Sequence, residues 1–529
     1  EELKQAAGPL QVCAGFGGGA EAAIHAMNDI FQEDETDGVL LIDASNAFNQ
    51  MNRSTAMHNI RIIFKEISLY VINTYRSPSR LFICGGGEIL SQEGTTQGDP
   101  LAMPWYSANT SIIIETLRNG VPSVKQVWLA DDSAGAGTIA SLFSWFKCIE
   151  KEGQKYGYIV NGSKSWLITK SESLANEAKL IFGEDVNITC EGKRHLGAVI
   201  GSKIFKDTFC EEKIANWRAE LETLAEIAKN QPQCAYIAFT KGFKNKFTYF
   251  MRTIDSFEDY MNPIDEIIDE NLLPVLFGQV APLPSEISQI VKVPPSLGGL
   301  GMPNLKEESP QQYAASKAIT ACHVESIRTQ SSIVPPEAEV AKKQQQSLKS
   351  DKLKSKVEEI DASLPEPLLR QVAQARDKGA SSWLNAIPYE NQDLVLNKQE
   401  FRDALRLRYN MPLSDLPQTC PCGSSFNVNH ALSCKKGGFI AQRHDNVRDF
   451  LTILLSKVCH NVQAEPLLIP LNGEHFDLKS TTASQDAHLD IKAGGFWQRG
   501  VTAFFDVRVS HVNSKSNQNK TTSSIFKEQ

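Results

Sequence analysis

The chain runs to 529 residues, 41% apolar and 22% charged, with a formal net charge of −8. Those proportions exclude a disordered chain and a uniformly basic nucleic-acid binder, and leave room for roughly three or four domains at about 150 residues each. No run approaches the roughly 18 consecutive apolar residues of a membrane-spanning helix, and eleven scattered cysteines, an odd number, suit a reducing compartment rather than a secreted disulfide framework. The sequence opens on Glu1 with no signal-peptide pattern, so its natural start is expected upstream.

Residues 1 to about 205 pattern as mixed α/β. Short apolar runs of strand type fall at 39–42, 81–84 and 127–130, and helical periodicity at 20–31 and 139–151. From about 206 to 330 the chain turns helical, with 215–229 strongly periodic and Leu297-Gly298-Gly299-Leu300-Gly301 as a turn-rich break. Residues 331 to about 365 carry Lys, Gln, Glu and Ser, as in Lys342-Lys343-Gln344-Gln345-Gln346. That composition gives a solvated helix or flexible linker, and less readily a DNA-tracking arm. Apolar periodicity returns over 366–415. Basic clusters at 241–246, 342–356 and 435–443 locally offset the acidic total.

Three segments of the first region carry chemistry. Gly38-Val39-Leu40-Leu41-Ile42-Asp43 is a buried-strand pattern ending in a carboxylate. Glu93-Gly94-Thr95-Thr96-Gln97-Gly98-Asp99-Pro100 is turn-rich. Trp128-Leu129-Ala130-Asp131-Asp132-Ser133 ends an apolar run in two carboxylates, a hairpin tip holding negative charge. Charge there is costly unless a cation pairs with it. Each segment also has a plain structural reading: Asp favours turns, and Asp43 can cap a helix. Together they suit in-line displacement at phosphorus, where two metal ions about 3.5–4 Å apart stabilise the attacking and leaving oxygens. Mg²⁺ takes such oxygen ligands. Asp43 and Asp131 are the expected ligands, with Asp132 in support.

The order strand-Asp, Gln-Gly-Asp-Pro, Ala-Asp-Asp resembles the palm of reverse transcriptases, and the resemblance covers most of residues 10–305. It implies an α+β, right-hand polymerase with partial fingers and palm over 1–205 and a helical thumb over 206–330. Early finger segments are expected ahead of Gly8. Phe48 falls where the family places a gate against the nucleotide 2′-hydroxyl; on the residues alone it reads as a core phenylalanine. Gln97 and Gly98 fall beside the template and the new base pair, Gly98 permitting close backbone approach. Leu129 stands where many members have an aromatic residue. Gly157-Tyr158-Ile159-Val160-Asn161-Gly162-Ser163-Lys164-Ser165 resembles the fourth motif, in which Lys164 can protonate the leaving pyrophosphate; an exposed loop lysine is the level alternative. Leu196-Gly197-Ala198-Val199-Ile200-Gly201 resembles the hairpin that touches the primer. Lys241 and Lys244 fall where the thumb tracks the duplex backbone.

Cys420-Pro421-Cys422, His430 and Cys434 follow a C-x-C…H-x-x-x-C pattern. Three Cys and one His can close a tetrahedral structural Zn²⁺ site, and Gly423 allows the turn. The first spacing is tighter than usual, and a buried Cys pair with a solvent-facing His is the alternative. His444 is a weaker fifth candidate. A knuckle over 416–446 thus follows a charged helical linker over 331–415.

In the last region Asp490 and Asp506 sit in apolar, strand-like segments, with Gly494-Gly495 and Arg499-Gly500 between them marking a hairpin. Two such carboxylates side by side can hold a metal that activates water for phosphodiester cleavage. Residues 447–529 resemble the restriction-like, PD-(D/E)xK, endonuclease fold. The resemblance implies Asp490 and Asp506 as the acidic pair with one or two Mg²⁺, and Glu465 as the helix carboxylate. No Pro precedes Asp490, and Arg508 stands where the pattern has Lys. Arg holds its proton too firmly for a general base, leaving Lys515, Lys520 or Lys527.

The whole order resembles non-LTR retrotransposon polyproteins of the early-branching type. It implies target-primed reverse transcription, in which the nuclease nicks DNA and the polymerase extends the freed 3′-hydroxyl on the element's RNA. The implied cofactors are two Mg²⁺ at the polymerase site and Zn²⁺ at the knuckle. The implied partners are RNA template, DNA primer and target, and dNTPs, with no membrane; action is nuclear after cytoplasmic synthesis. A decayed or co-opted nucleic-acid-binding relic is the alternative, supported by Leu129, Arg508 and the acidic balance. A bacterial or intron-borne reverse transcriptase is a third option, against which the Asp…Asp-x-Arg segment argues.

Overall fold

The apolar run that ends at Asp43 becomes the middle of a sheet. In the computed structural model, which describes residues 2–331, 335–392, 394–436, 439–466, 488–514, 516–517, 519–520 and 524–525, β1 (Gly38–Ile42) buries Val39 and Leu40 completely. It pairs antiparallel on both sides, with β5 (Asp132–Gly137) and β6 (Trp166–Thr169). A strand flanked and covered in this way is read as an unbroken apolar run. The five-stranded sheet has the order β4-β5-β1-β6-β7, with β4 at Lys125–Leu129 and β7 at Asn187–Thr189. The small residues of β5 have a packing reason. A Cβ on Gly135 would lie 2.8 Å from the ring of Trp145, on the helix Ile139–Gly153.

Two hairpins flank this sheet in sequence. β2 (Ser79–Ile83) and β3 (Gly87–Ser91) pair antiparallel, and their apolar side chains lie open, with Phe82 78% exposed. β8 (Gly192–His195) and β9 (Ala198–Gly201) are joined by the two-residue turn Leu196-Gly197, both residues at positive φ. That turn matches the right-handed twist of the strands it joins.

A 26-residue helix, Lys203–Ala228, opens the helical region, capped by the Ser202 hydroxyl, which accepts from the Phe205 N–H. Trp217, Phe247, Phe250 and Phe257 pack edge-on and stacked inside it. The helix Leu305–Thr329 then returns to the five-stranded sheet's core. Val324 and Ile327 join that core, and Lys317 pairs with Asp29 at 2.7 Å. Arg252 forks onto Glu21 with two bonds of 2.7 Å.

The chain divides into two compact units, residues 1–405 and 406–529. The charged stretch forms the helix Pro335–Ser363. Beyond it, Val372, Leu384, Phe401 and Leu405 are buried, Arg376 forks onto Asp361, and Gln233 bonds both Leu394 and Leu396. Residues 366–405 therefore belong to the first unit's packed body, where composition suggested a linker. In the second unit a three-stranded antiparallel sheet, β10 (His460–Ala464), β11 (Ile491–Gly494) and β12 (Thr502–Phe505), carries a small core of Leu455, Ile491 and Ala493. Lys515 and Lys527 lie outside the described residues. Among the described residues no helix is long and apolar enough to cross a membrane.

Candidate active site

The β1/β5 register sets the geometry. Ile42 faces Ser133, so the next step along both strands brings Asp43 opposite Asp132. Asp131 stands beside them in the two-residue turn between β4 and β5. Asp132, expected only to support, is thus the direct cross-strand neighbour of Asp43. Burial, with the Asp43 charge, pushes the Asp131 carboxyl up. Asp132 keeps a solvent-exposed face, yet burial and the Asp131 and Asp43 charges push its carboxyl up to about 6. Crowded carboxylates of this kind present hard oxygen donors, the ligand set that suits Mg²⁺.

The turn is held by residues that its own sequence does not reveal. Ala130 has a φ of 59°, a left-handed conformation costly for a residue with a Cβ. Gln11, fully buried, clamps it. The Gln11 Oε1 accepts from the Ala130 N–H at 2.8 Å, and the Nε2 donates to the Ala130 carbonyl at 2.9 Å and to the Thr110 hydroxyl at 3.0 Å. From the other side the buried Tyr158 hydroxyl donates to the Asp131 carbonyl at 2.8 Å. Asp43 is fixed by its backbone: its N–H donates to the Ser165 hydroxyl at 3.2 Å, and its carbonyl accepts from the Asn161 N–H at 2.8 Å.

A cavity of about 220 Å³ opens here, lined by Asp43, Asp132 and Lys164 together with Lys193, Arg194 and His195. Lys164 is exposed at the end of the short turn Gly162–Lys164. The Asn187 amide holds that turn by donating to the Ser163 and Ser165 carbonyls at 2.8 and 3.1 Å. The β8–β9 hairpin therefore brings cations to the carboxylates. Lys193 lies 3.5 Å from the centroid of Trp166.

Phe48 stacks on Tyr106, centroids 4.3 Å apart, and its carbonyl accepts from the Thr95 N–H at 2.8 Å. Gln97 and Gly98 are exposed, and a Cβ on Gly98 would meet nothing within 4 Å. The tight backbone approach lies instead at Gly94, where a Cβ would come 2.3 Å from the Phe48 carbonyl oxygen. Arg53, 4% exposed, holds this loop. Its guanidinium donates to the Ser91, Glu93 and Gly94 carbonyls at 3.0–3.1 Å and to the Ser91 hydroxyl at 3.2 Å. Tyr75 binds Asp99, whose other oxygen accepts from the Leu101 N–H at 2.8 Å at the start of the helix Ala102–Gly120.

The two lysines expected to track a duplex backbone are committed within the first unit. Lys241 donates to Asn385 at 2.9 Å, and Lys244 to the Gly301 carbonyl at 3.3 Å, with burial pulling its ammonium pKa down.

In the second unit Cys420, Cys422, His430 and Cys434 gather with their ligand atoms all within 4.8 Å. A bridge between Thr419 and Ser425 makes a small hairpin, and Gly423, at φ 88°, turns it. Asn427 caps the short helix Val428–Ala431, which aims His430 at Cys422, Nε2 to Sγ 3.3 Å. Hydrogen bonds from Ser424 pull the Cys422 thiol down to about 6, toward the thiolate that ligates metal. The donor set can hold a metal such as zinc. Among the described residues this is the group of three or more His, Cys, Asp or Glu gathered at metal-binding spacing; Asp43, Asp131 and Asp132 are neighbours in register and charge but are not gathered so tightly.

His444 stands apart from that cluster in its bonding, with its Nε2 3.2 Å from Asp490 and its Nδ1 3.3 Å from Asp445. Ile491 faces Phe505, so the same register carried one step outward sets Asp490 opposite Asp506. Asp490 already accepts from the Val507 N–H. Glu465, expected on a helix, instead follows the edge strand β10 at φ 46° and pairs with Arg448.

No family model and no curated protein matches the chain. Among solved structures it is similar to telomerase from Candida albicans, determined with a TWJ fragment of telomeric RNA. The identity is 12% and the TM-score 0.26, over 60% of this chain and 54% of that one. The chain thus spans about half the length of that structure, and a likeness this faint carries no functional argument.

Proposed function

We propose that this chain is an RNA-directed DNA polymerase of a non-LTR retrotransposon, joined to a DNA-nicking endonuclease for target-primed reverse transcription. One observation carries the polymerase reading: Asp43 opposite Asp132, with Asp131 at the clamped turn and Lys164 on the same cavity. Asp43 and Asp131, with Asp132, would hold two Mg²⁺. When bound, these ions would stabilise charge on the attacking 3′-oxygen and the leaving pyrophosphate. Lys164 gives a proton from Nζ to the pyrophosphate oxygen. Phe48 walls the sugar site, and an added 2′-oxygen clashes with its ring. Gln97 and Gly98 leave open space for the template and new base pair, while Arg194 and Lys193 neutralise nucleic-acid phosphates at the cavity. Lys241 and Lys244 brace the thumb that follows the duplex.

In the second unit Zn²⁺ on the Cys₃His cluster organises the knuckle. Asp490 and Asp506 form the nuclease pair with one or two Mg²⁺, and the enzyme acts in the nucleus. A silent, nucleic-acid-binding second unit is the competing reading there. Its support is that Asp490 is already bonded to His444 and Val507 and that Arg508 cannot serve as base.

Primer extension on poly(A)/oligo(dT) with Mg²⁺ tests the polymerase. The wild-type chain incorporates dTTP, and Asp131→Asn abolishes incorporation while RNA binding persists. Normal extension by that variant refutes the assignment. Nicking of supercoiled DNA, lost in Asp506→Asn, tests the nuclease.

A further inference from the structure

Phe48 is held twice. Its backbone is pinned by the Thr95 N–H and by the close approach of Gly94. Its ring lies against Tyr106 at 4.3 Å with 22° between the planes. The two rings differ in setting: Tyr106 is 2% exposed within the palm core, whereas Phe48 is only partly buried. Geometry places the stacked pair beside the carboxylate turn: the Tyr106 carbonyl accepts from the Thr110 hydroxyl, and that hydroxyl accepts from the Gln11 amide that clamps Ala130.

A steric wall discriminates only if it does not yield. A side chain rotates off its rotamer at small cost, so an unsupported ring swings aside when an extra oxygen presses on it. A flat, buried partner in stacking contact removes that freedom, because dense packing leaves Tyr106 nowhere to retreat. We infer that Tyr106 is the backstop that fixes the Phe48 ring and so sets selection of deoxynucleotides over ribonucleotides. The inference rests on the polymerase reading and makes Tyr106 a positioning residue, since it acts through Phe48. Its hydroxyl has no hydrogen-bond partner among the described residues and is enclosed, so the ring supplies the function.

The test measures dNTP against rNTP incorporation by the full chain. Tyr106→Ala lowers discrimination by roughly tenfold or more, the scale on which a pocket contact separates closely similar substrates. Tyr106→Phe, which keeps the ring, retains discrimination. Tyr106→Leu fills most of the space without a flat face and falls between them; it replaces the alanine variant if that chain does not fold. Phe48→Ala combined with Tyr106→Ala loses no more discrimination than Phe48→Ala alone, because one residue acts through the other. A merely structural role would slow both nucleotides equally. Incorporation with unchanged discrimination in Tyr106→Ala or Tyr106→Leu overturns this inference alone. A wild-type chain that incorporates neither nucleotide overturns the polymerase reading and this inference with it.

Discussion

Replacing Gln11 by leucine removes the clamp on the Asp-Asp turn while keeping side-chain size. The amide makes three bonds, at 2.8, 2.9 and 3.0 Å, two of them to the backbone of the left-handed Ala130. Thr110 loses only a donor, and its hydroxyl still donates to the Tyr106 and Ser107 carbonyls, so that loss is minor. The Ala130 N–H and carbonyl are left unpartnered and buried, at about 1–3 kcal/mol each. Part of that is recovered as the turn relaxes out of its left-handed conformation, worth about 1–2 kcal/mol. The net expectation is a loss of about 2–4 kcal/mol, read by urea denaturation with tryptophan fluorescence. Relaxation displaces the adjacent Asp131, so single-turnover dTTP incorporation falls even under conditions where the variant is fully folded. Gln11→Glu keeps an acceptor for the Ala130 N–H but opposes the carbonyl and adds charge beside Asp131, so it loses activity too. A Gln11→Leu chain within about 0.5 kcal/mol of wild type, with normal turnover, would refute the clamp.

Gly94→Ala puts a Cβ 2.3 Å from the Phe48 carbonyl oxygen at a φ of 72°, so its melting midpoint drops sharply, by about 4 kcal/mol or more in stability; a wild-type midpoint contradicts the packing. The Asp132 carboxyl, held up to about 6 against an ordinary 3.8, binds more protons folded than unfolded between those values. Stability therefore falls as pH rises through that window, and Asp132→Asn flattens the fall and is the more stable chain at pH 7; parallel urea midpoints for the two chains contradict this. Cys434→Ser loses the zinc that the wild-type chain carries, measured by atomic absorption, and unchanged zinc content contradicts the ligand set.

Local pattern made the strands and the hairpin legible. An apolar run with a terminal Asp and a two-residue turn are short-range facts, and they set Asp43 and Asp132 at neighbouring strand ends with Asp131 at the turn. The Cys₃His cluster was legible for the same reason, since its ligands span only residues 420–434. What holds the site was not. Gln11 reaches Ala130 across 119 positions, and Arg53 anchors a loop some 40 residues away; nothing in their flanks signals either bond. The lysines at 241 and 244 look like a basic stripe until tertiary neighbours claim them. The charged stretch ahead of residues 366–405 suggests a linker, but their own apolar spacing seats Val372 and Phe401 in a core. The resemblance puts Glu465 on a helix, whereas it directly follows the edge strand His460–Ala464.

The polymerase reading requires carboxylate oxygens from the end of β1 and from the β4–β5 turn to share divalent ions. Mn²⁺ titration followed by electron paramagnetic resonance tests this without requiring turnover, with the knuckle kept loaded with zinc. Saturable binding by the wild-type chain, with a stoichiometry that drops in both Asp43→Asn and Asp131→Asn and leaves only the ions held at Asp490 and Asp506, is the expected result. Undiminished binding by either variant, each folded as wild type, would contradict it.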